Sequence, residues 1–144
     1  MPQRDFYHQA VRQALIADGW TITHDSYFLR FGEQKGFIDL GAELPITAER
    51  DVLKIAVEVK SFIGASVVAD LAVAVGQYAM YKSWLNRKEP TRQLYLAIDR
   101  ETAHAVFADI SAQVLVEDYA IWLLIVDIAR ERIVEWRNPP PIGS

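Results

Sequence analysis

The sequence predicts one α/β domain, a mixed β-sheet flanked by helices. Three observations lead there. The 144 residues suit a single domain, and 51% of them are apolar, enough for a real core. An amphipathic segment at the start is followed by three stretches of strand character. A long apolar helix then leads to a further strand, and a meander followed by such a crossover makes a mixed sheet with helices packed on it.

Residues 4–18 read as a helix, because Phe6, Ala10, Val11, Ala14, Leu15 and Ala17 recur at helical spacing and Gly19 supplies a stop. Residues 20–24 read as a first strand, with 27–31 as its continuation or partner. The run Gly32-Glu33-Gln34-Lys35-Gly36 reads as a polar turn, residues 37–44 as the second strand, and Glu49-Arg50-Asp51 as the next turn. Residues 53–62 are rich in β-branched side chains and read as the third strand. Ser66 suits the N-cap of a helix over 67–85. That helix is apolar almost all round (Val68, Leu71, Ala72, Val75, Tyr78, Ala79) and is expected to be largely buried. Residues 93–98 form a fourth strand, and Asp99 caps a short helix over 100–108. Residues 114–118 have no clear assignment, and 121–127 with 132–136 read as a closing hairpin. The domain is expected to span 1–137, with 138–144 (NPPPIGS) as a flexible tail.

Composition removes several function classes. The absence of cysteine excludes disulfides, thiolate zinc sites and cysteine nucleophiles. The polar first segment is unlike a signal peptide, and no apolar run approaches the roughly 20 residues of a membrane helix, so the cytoplasm is the expected location. No nucleophile elbow, glycine-rich phosphate loop or paired-histidine motif is present. The net charge of −4 argues against a simple basic DNA clamp. It is compatible with an acidic site that recruits a divalent cation.

The chemistry concentrates in the third strand. Side chains alternate faces along a strand, so Ile55, Val57 and Val59 share one face, expected to be the core, and Glu58 and Lys60 share the other. A charged pair inside an apolar strand needs a reason, since burying charge is costly unless it is paired or bound to metal. Asp39 on the second strand supplies the partner: in a hairpin it lies across from Glu58 and Lys60, with strands about 4.8 Å apart. Asp39 and Glu58 would then hold Mg²⁺ (or Mn²⁺), with the Val59 carbonyl as a further ligand. Lys60 would orient or deprotonate a water and offset charge on a phosphorane-like transition state. Glu43 either extends this cluster or sits outside it.

Asp39 followed by Glu58-Val59-Lys60 on adjacent strands, after an N-terminal helix, resembles the PD-(D/E)xK nuclease signature of the restriction-endonuclease-like fold, with Ile38 where the nominal motif has Pro. Gln77 and Tyr81, one turn apart on the long helix, resemble the Q-x-x-x-Y motif of the RecB-like branch, in which these residues help position the site and the DNA. The ordered set carries the weight. Glu33-Gln34-Lys35 also matches acid-x-Lys but lies in the expected turn, and the Gln3–Tyr7 match precedes every strand.

A closer resemblance runs through Arg4-Asp5-Phe6-Tyr7-His8, Asp18-Gly19-Trp20-Thr21-Ile22-Thr23-His24-Asp25, Asp39-Leu40-Gly41-Ala42-Glu43, the stretch from Ile55 through Glu58-Val59-Lys60 to Ser66, Asp70-Leu71 and Gly76-Gln77-Tyr78. These segments are similar to the XisH family, named for controlling excision of the fdxN DNA element. The resemblance implies action on DNA alongside a site-specific recombinase, often with a companion protein, XisI. It leaves open a Mg-dependent endonuclease or a non-catalytic DNA- or partner-binding accessory factor on the same scaffold. A homodimer is expected, through an edge strand or the Trp122–Trp136 hairpin, since many such nucleases pair subunits to cut two strands.

Other residues have two readings each. His8 and Asp5 either approach the metal or form a helix-end pair. His24 either touches DNA or is a surface strand residue. Lys82, Arg87, Lys88 and Arg92 either favour the helix dipole or meet the DNA backbone. His104 is expected to be structural. Trp20, Trp84, Trp122 and Trp136 suit core or dimer contacts better than base stacking.

Overall fold

The computed structural model describes residues 3–45 and 51–140. Helix α1 (Gln3–Ala17) leads to β1 (Thr21–His24), then to β2 (Tyr27–Phe31), β3 (Gln34–Ile38), β4 (Leu40–Pro45) and β5 (Val52–Val59). Helix α2 (Val67–Lys88) crosses to β6 (Arg92–Asp99). Helices α3 (Arg100–Ala105) and α4 (Ile110–Asp118) cross to β7 (Leu123–Asp127), and β8 (Arg132–Trp136) closes the chain. Six strands form one sheet in the order β1-β4-β5-β6-β7-β8. The β5–β6 and β6–β7 pairs are parallel and the others antiparallel, so the expected mixed sheet is present. Among the described residues no helix is long and apolar enough to cross a membrane.

Both faces of the sheet are covered. Ile55, Val57, Tyr95, Ala97, Leu124 and Val126 pack with Val11, Ala14 and Leu15 of α1. The alternate residues Ala56, Leu94, Leu96, Ile98, Leu123 and Ile125 pack with Leu71, Ala74, Tyr78, Tyr81 and Leu85 of α2. This corrects the expectation of a single core face: Glu58 lies on the strand face that α2 covers. The unbroken apolar run of β6 is what a parallel strand buried on both sides requires. Tyr78 ties the α2 layer to the sheet. Its hydroxyl donates to the Leu94 carbonyl at 2.8 Å and accepts from the Trp122 N–H at 3.0 Å, and burial pushes its pKa up to about 12. Trp122 and Trp136 turn their rings onto Tyr95, and Trp136 also meets Trp20.

The expected second strand is two strands. β3 pairs with β2 in a separate two-stranded ribbon, while β4 joins the main sheet from the Leu40–Val57 pair onward. The chain changes sheets at Asp39. The expected polar turn shrinks to Gly32-Glu33, and Gln34, Lys35 and Gly36 are strand. Glycine and two polar residues mask the alternation, but Gly36 points inward because the Tyr81 ring occupies the space beside it. A Cβ there would lie 2.6 Å from a ring carbon.

Other boundaries also move. β5 ends at Val59, although the Lys60 N–H still reaches the Ala97 carbonyl at 3.0 Å. Ser66 caps α2 through a bond from the Ala69 N–H, and the helix runs on to Lys88. Only one side of α2 is buried; Val67, Val73 and Met80 are exposed and Val68 is 76% exposed, against the expectation of a largely buried helix. The unassigned residues 114–118 belong to α4, which Asp109 caps, and α3 stops at Ala105. The Asn138 carbonyl accepts from the Tyr95 hydroxyl at 2.6 Å and Pro140 is buried. Residues 49 and 50 of the expected turn, and 141–144 of the expected tail, lie outside the described residues.

A buried cation fastens the ribbon to the sheet. Arg92 is 3% exposed. It grips Glu89 through Nε at 2.8 Å and Nη2 at 3.2 Å, donates to the Ile55 carbonyl at 2.8 Å, and stacks 4.9 Å from the Tyr27 ring. Tyr27 donates to the same Glu89 carboxylate at 2.5 Å. Burial pushes the Glu89 carboxyl up. The hydrogen bonds from Arg92 and Tyr27, with the charges of Arg92 and Lys54, outweigh it and bring the pKa down to about 2.

Two expected outcomes follow from these contacts. Gly36→Ala should lower stability by about 1–3 kcal/mol in urea denaturation, because the buried Tyr81 ring must shift. The folded pKa of Glu89 lies below its ordinary 4.5, so its stabilisation is complete above that value and lost as pH falls toward 2. The urea midpoint should therefore fall from pH 5 to pH 3, and fall less steeply in Glu89→Gln.

Candidate functional site

Asp39 and Glu58 interlock where the chain changes sheets. The Asp39 N–H donates to Oε1 of Glu58 at 3.2 Å, and the Val59 N–H donates to Oδ2 of Asp39 at 2.7 Å. Each carboxylate therefore holds the backbone at or beside the other. Glu58 is 7% exposed, and Asp39 is half-buried. The hairpin register that brings them together is Leu40–Val57 and Gly41–Ala56, which places Asp39 opposite Glu58. Among the described residues no hydrogen bond or ion pair engages Oδ1 of Asp39.

Two clefts meet at this point. One, about 170 Å³, is lined by Glu58, Val59, Lys60, Ser61, Val73 and Gln77. The other, about 110 Å³, is lined by Asp5, Tyr7, His8, Asp39, Val59 and Ser61. Val59 and Ser61 line both. Gln77 thus reaches the Glu58 cleft from α2. Tyr81, one turn on, has its pKa raised by burial and then by the charges of Glu58 and, less, Asp39, against a hydrogen bond with the Phe37 backbone. It is a neutral hydroxyl beside the acidic pair.

Lys60 is held by an acid that the motif does not include. Its Nζ lies 3.7 Å from Oδ1 of Asp70 in the first turn of α2. Asp70 also accepts from the Gly64 N–H at 2.9 Å, and a Cβ on Gly64 would lie 2.9 Å from both of its carboxylate oxygens. The signal available in the sequence was an acid just inside a capped helix that is the next element after the strand leading into Lys60.

On the other side, His8 and Asp5 line the Asp39 cleft from α1. Nε2 of His8 lies 2.7 Å from Asp25, which also pairs with Arg12 at 3.0 Å. Neither Asp25 nor Tyr7 stands out in the sequence as a site residue. Glu43 lies outside the cluster, 3.6 Å from Arg92 in the ribbon clamp. His24 bonds Thr23 and packs on Tyr27. His104 is exposed at the end of α3. Lys82 bonds the Tyr119 and Ala120 carbonyls and Arg87 the Ser83 carbonyl, so both have local roles.

The donor set suits a hard cation. Two carboxylates beside a strand end offer oxygen alone, the chemistry of Mg²⁺ or Mn²⁺. Among the described residues no cluster of three or more Asp, Glu, His or Cys could hold a metal. Mg²⁺ commonly binds through one or two carboxylates and completes its shell with water and substrate oxygens, so the pair fits it better than it would fit a fully caged ion.

The XisH protein family model matches residues 1–134. A crystal structure of an XisH family protein from Nostoc punctiforme PCC 73102 aligns with a TM-score of 0.82 and 34% identity over 93% of this chain and 100% of that one. A crystal structure of an fdxN element excision controlling factor protein from Anabaena variabilis aligns with a TM-score of 0.84 and 34% identity over 94% of this chain and 100% of that one. No curated protein matches. With a family model spanning most of its length and two full-length structural relatives, this chain belongs to the XisH family.

Proposed function

We propose that this chain is a Mg²⁺-dependent PD-(D/E)xK-type endonuclease of a DNA-element excision system. The observation that carries the reading is the interlocked Asp39–Glu58 pair, with Lys60 and Gln77 lining the cleft at Glu58. The mixed sheet with helices on both faces supports a restriction-endonuclease-like fold. The excision context rests on the family and on the name of the Anabaena variabilis relative.

Asp39 and Glu58, with the Val59 carbonyl, would hold the ion, which when bound polarises a phosphate and eases ionisation of a water. The chain's own groups do the rest. The cross-bonds between Asp39, Glu58 and Val59 fix the carboxylates before substrate arrives, and such preorganisation is a main source of rate. Lys60 orients the attacking water or offsets charge growing on the phosphate, and Asp70 restrains its ammonium near the cleft. Gln77 and the neutral Tyr81 hydroxyl offer hydrogen bonds to phosphate or water beside two anions. DNA is the substrate, and a companion protein such as XisI and a recombinase are the proposed partners. A homodimer would allow both strands to be cut.

A second reading is a non-catalytic accessory factor that uses the same scaffold to bind DNA or a partner protein. Two observations favour it: the net charge of −4 and the absence of a third acid in the cluster among the described residues.

Supercoiled, linear and branched DNA incubated with Mg²⁺ or Mn²⁺ should be cut, and Lys60→Ala and Asp39→Asn should each lower the rate on the order of 10²–10³-fold with the fold retained. Cleavage that persists in both variants would point to a contaminant. Mg²⁺ should also raise the melting temperature of the wild type and not of Glu58→Gln. Neither cleavage nor a metal effect would leave the accessory reading.

A further inference from the structure

The ribbon of β2 and β3 has a finished inner face and an unpartnered outer one. Inside, Leu29 and Ile38 are buried, Gly36 meets Tyr81, and Phe31 stacks on Trp84 at 6.1 Å. Outside, register pairs Phe28 with Phe37 and Arg30 with Lys35. Phe28 is 51% and Phe37 56% exposed, with ring centroids 5.3 Å apart. Arg30 and Lys35 are exposed, and neither forms an ion pair among the described residues. The ribbon's single carboxylate, Glu33, sits in the turn.

Phe28 and Arg30 continue into a cleft of about 350 Å³ whose far wall is Lys88 and Glu89 at the end of α2. Glu89 is already neutralised by Arg92 and Lys54. In a chain of net charge −4, this surface therefore presents three cations, Arg30, Lys35 and Lys88, beside two exposed aromatic rings. Aromatic faces stack on unpaired bases whatever their sequence, and interleaved cations follow the phosphates. The anchored inner face holds the rings in place, which reduces the ordering cost of binding. β3 runs directly into Asp39, and along α2 the stretch from Lys88 back to Gln77 covers roughly 16 Å at 1.5 Å per residue.

We infer that the outer face of the β2–β3 ribbon is a docking platform for an unpaired DNA strand, with Phe28 and Phe37 stacking on bases and Arg30, Lys35 and Lys88 contacting phosphates. The inference rests on the DNA reading above and adds the form of DNA and the surface that grips it.

Fluorescence anisotropy with a labelled single-stranded oligonucleotide and its duplex, in EDTA over a salt series, tests it. Phe28→Ala/Phe37→Ala should weaken single-strand binding by about 5- to 150-fold and affect the duplex less. Phe28→Leu/Phe37→Leu keeps the apolar area and should still lose the affinity. Arg30→Ala/Lys35→Ala should make the single-strand salt slope shallower by about 1.4. Both residue pairs are exposed, and an unchanged melting temperature of the three double variants confirms the fold. Wild-type DNA binding that the ribbon variants leave unchanged overturns the platform and leaves the DNA reading standing. No wild-type binding to either form removes both. Unchanged affinity together with loss of self-association in the Phe variants would assign the face to a second copy of the chain.

Discussion

The cross-bonding of Asp39, Glu58 and Val59 is the constraint on which the rest of the site depends. A carboxylate inside a sheet must be satisfied, and here each acid is satisfied by backbone at or beside the other. The same bonds end one pairing partner and begin the next, because Asp39 is the residue between ribbon and sheet. The candidate site and the topology thus share one residue. The backbone aligns the two acids, and helices α1 and α2, with the segment after β5, bring Asp5, His8, Gln77 and Lys60 to the cleft walls.

The second constraint is the charge cluster on Arg92. A guanidinium 3% exposed would be severely destabilising without partners. Its fork meets a carboxylate and a carbonyl, and its face meets a ring, so it has several partners at once. Because Tyr27 and Glu89 come from the ribbon and the end of α2, the clamp joins elements that the sheet ladder does not connect. Asp70 plays a comparable part for Lys60, at the opposite end of the same helix.

Much of this was legible in the sequence. The apolar alternation of residues 53–59 and the cap at Ser66 located β5 and α2, and Asp99 marked the start of α3, although its side chain makes no capping bond to the helix backbone. The order Asp39, Glu58, Lys60, Gln77, Tyr81 located residues that the fold draws together. What escaped had physical causes. Residues 34–36 carry two polar side chains and a glycine, so their strand character comes from pairing with β2 and from the Tyr81 ring, both distant in sequence. The exposed side of α2 is apolar in composition, and composition cannot distinguish that from a buried side. Asp25 and Asp70 act through partners supplied by other elements, and Glu43 shares a face with Asp39 yet is drawn away by Arg92.

The ribbon contributes no rung to the six-stranded ladder, although its last residue adjoins Asp39. Lengthening its two strands in matched pairs beyond Phe31 and Gln34 would leave the buried Leu29 and Ile38, the Tyr27 clamp and the β4–β5 alignment, and with them the acidic pair, in place. The hairpin is in that sense an extensible fingertip: its reach can grow outward from the turn while the knuckle at position 39 stays where it is.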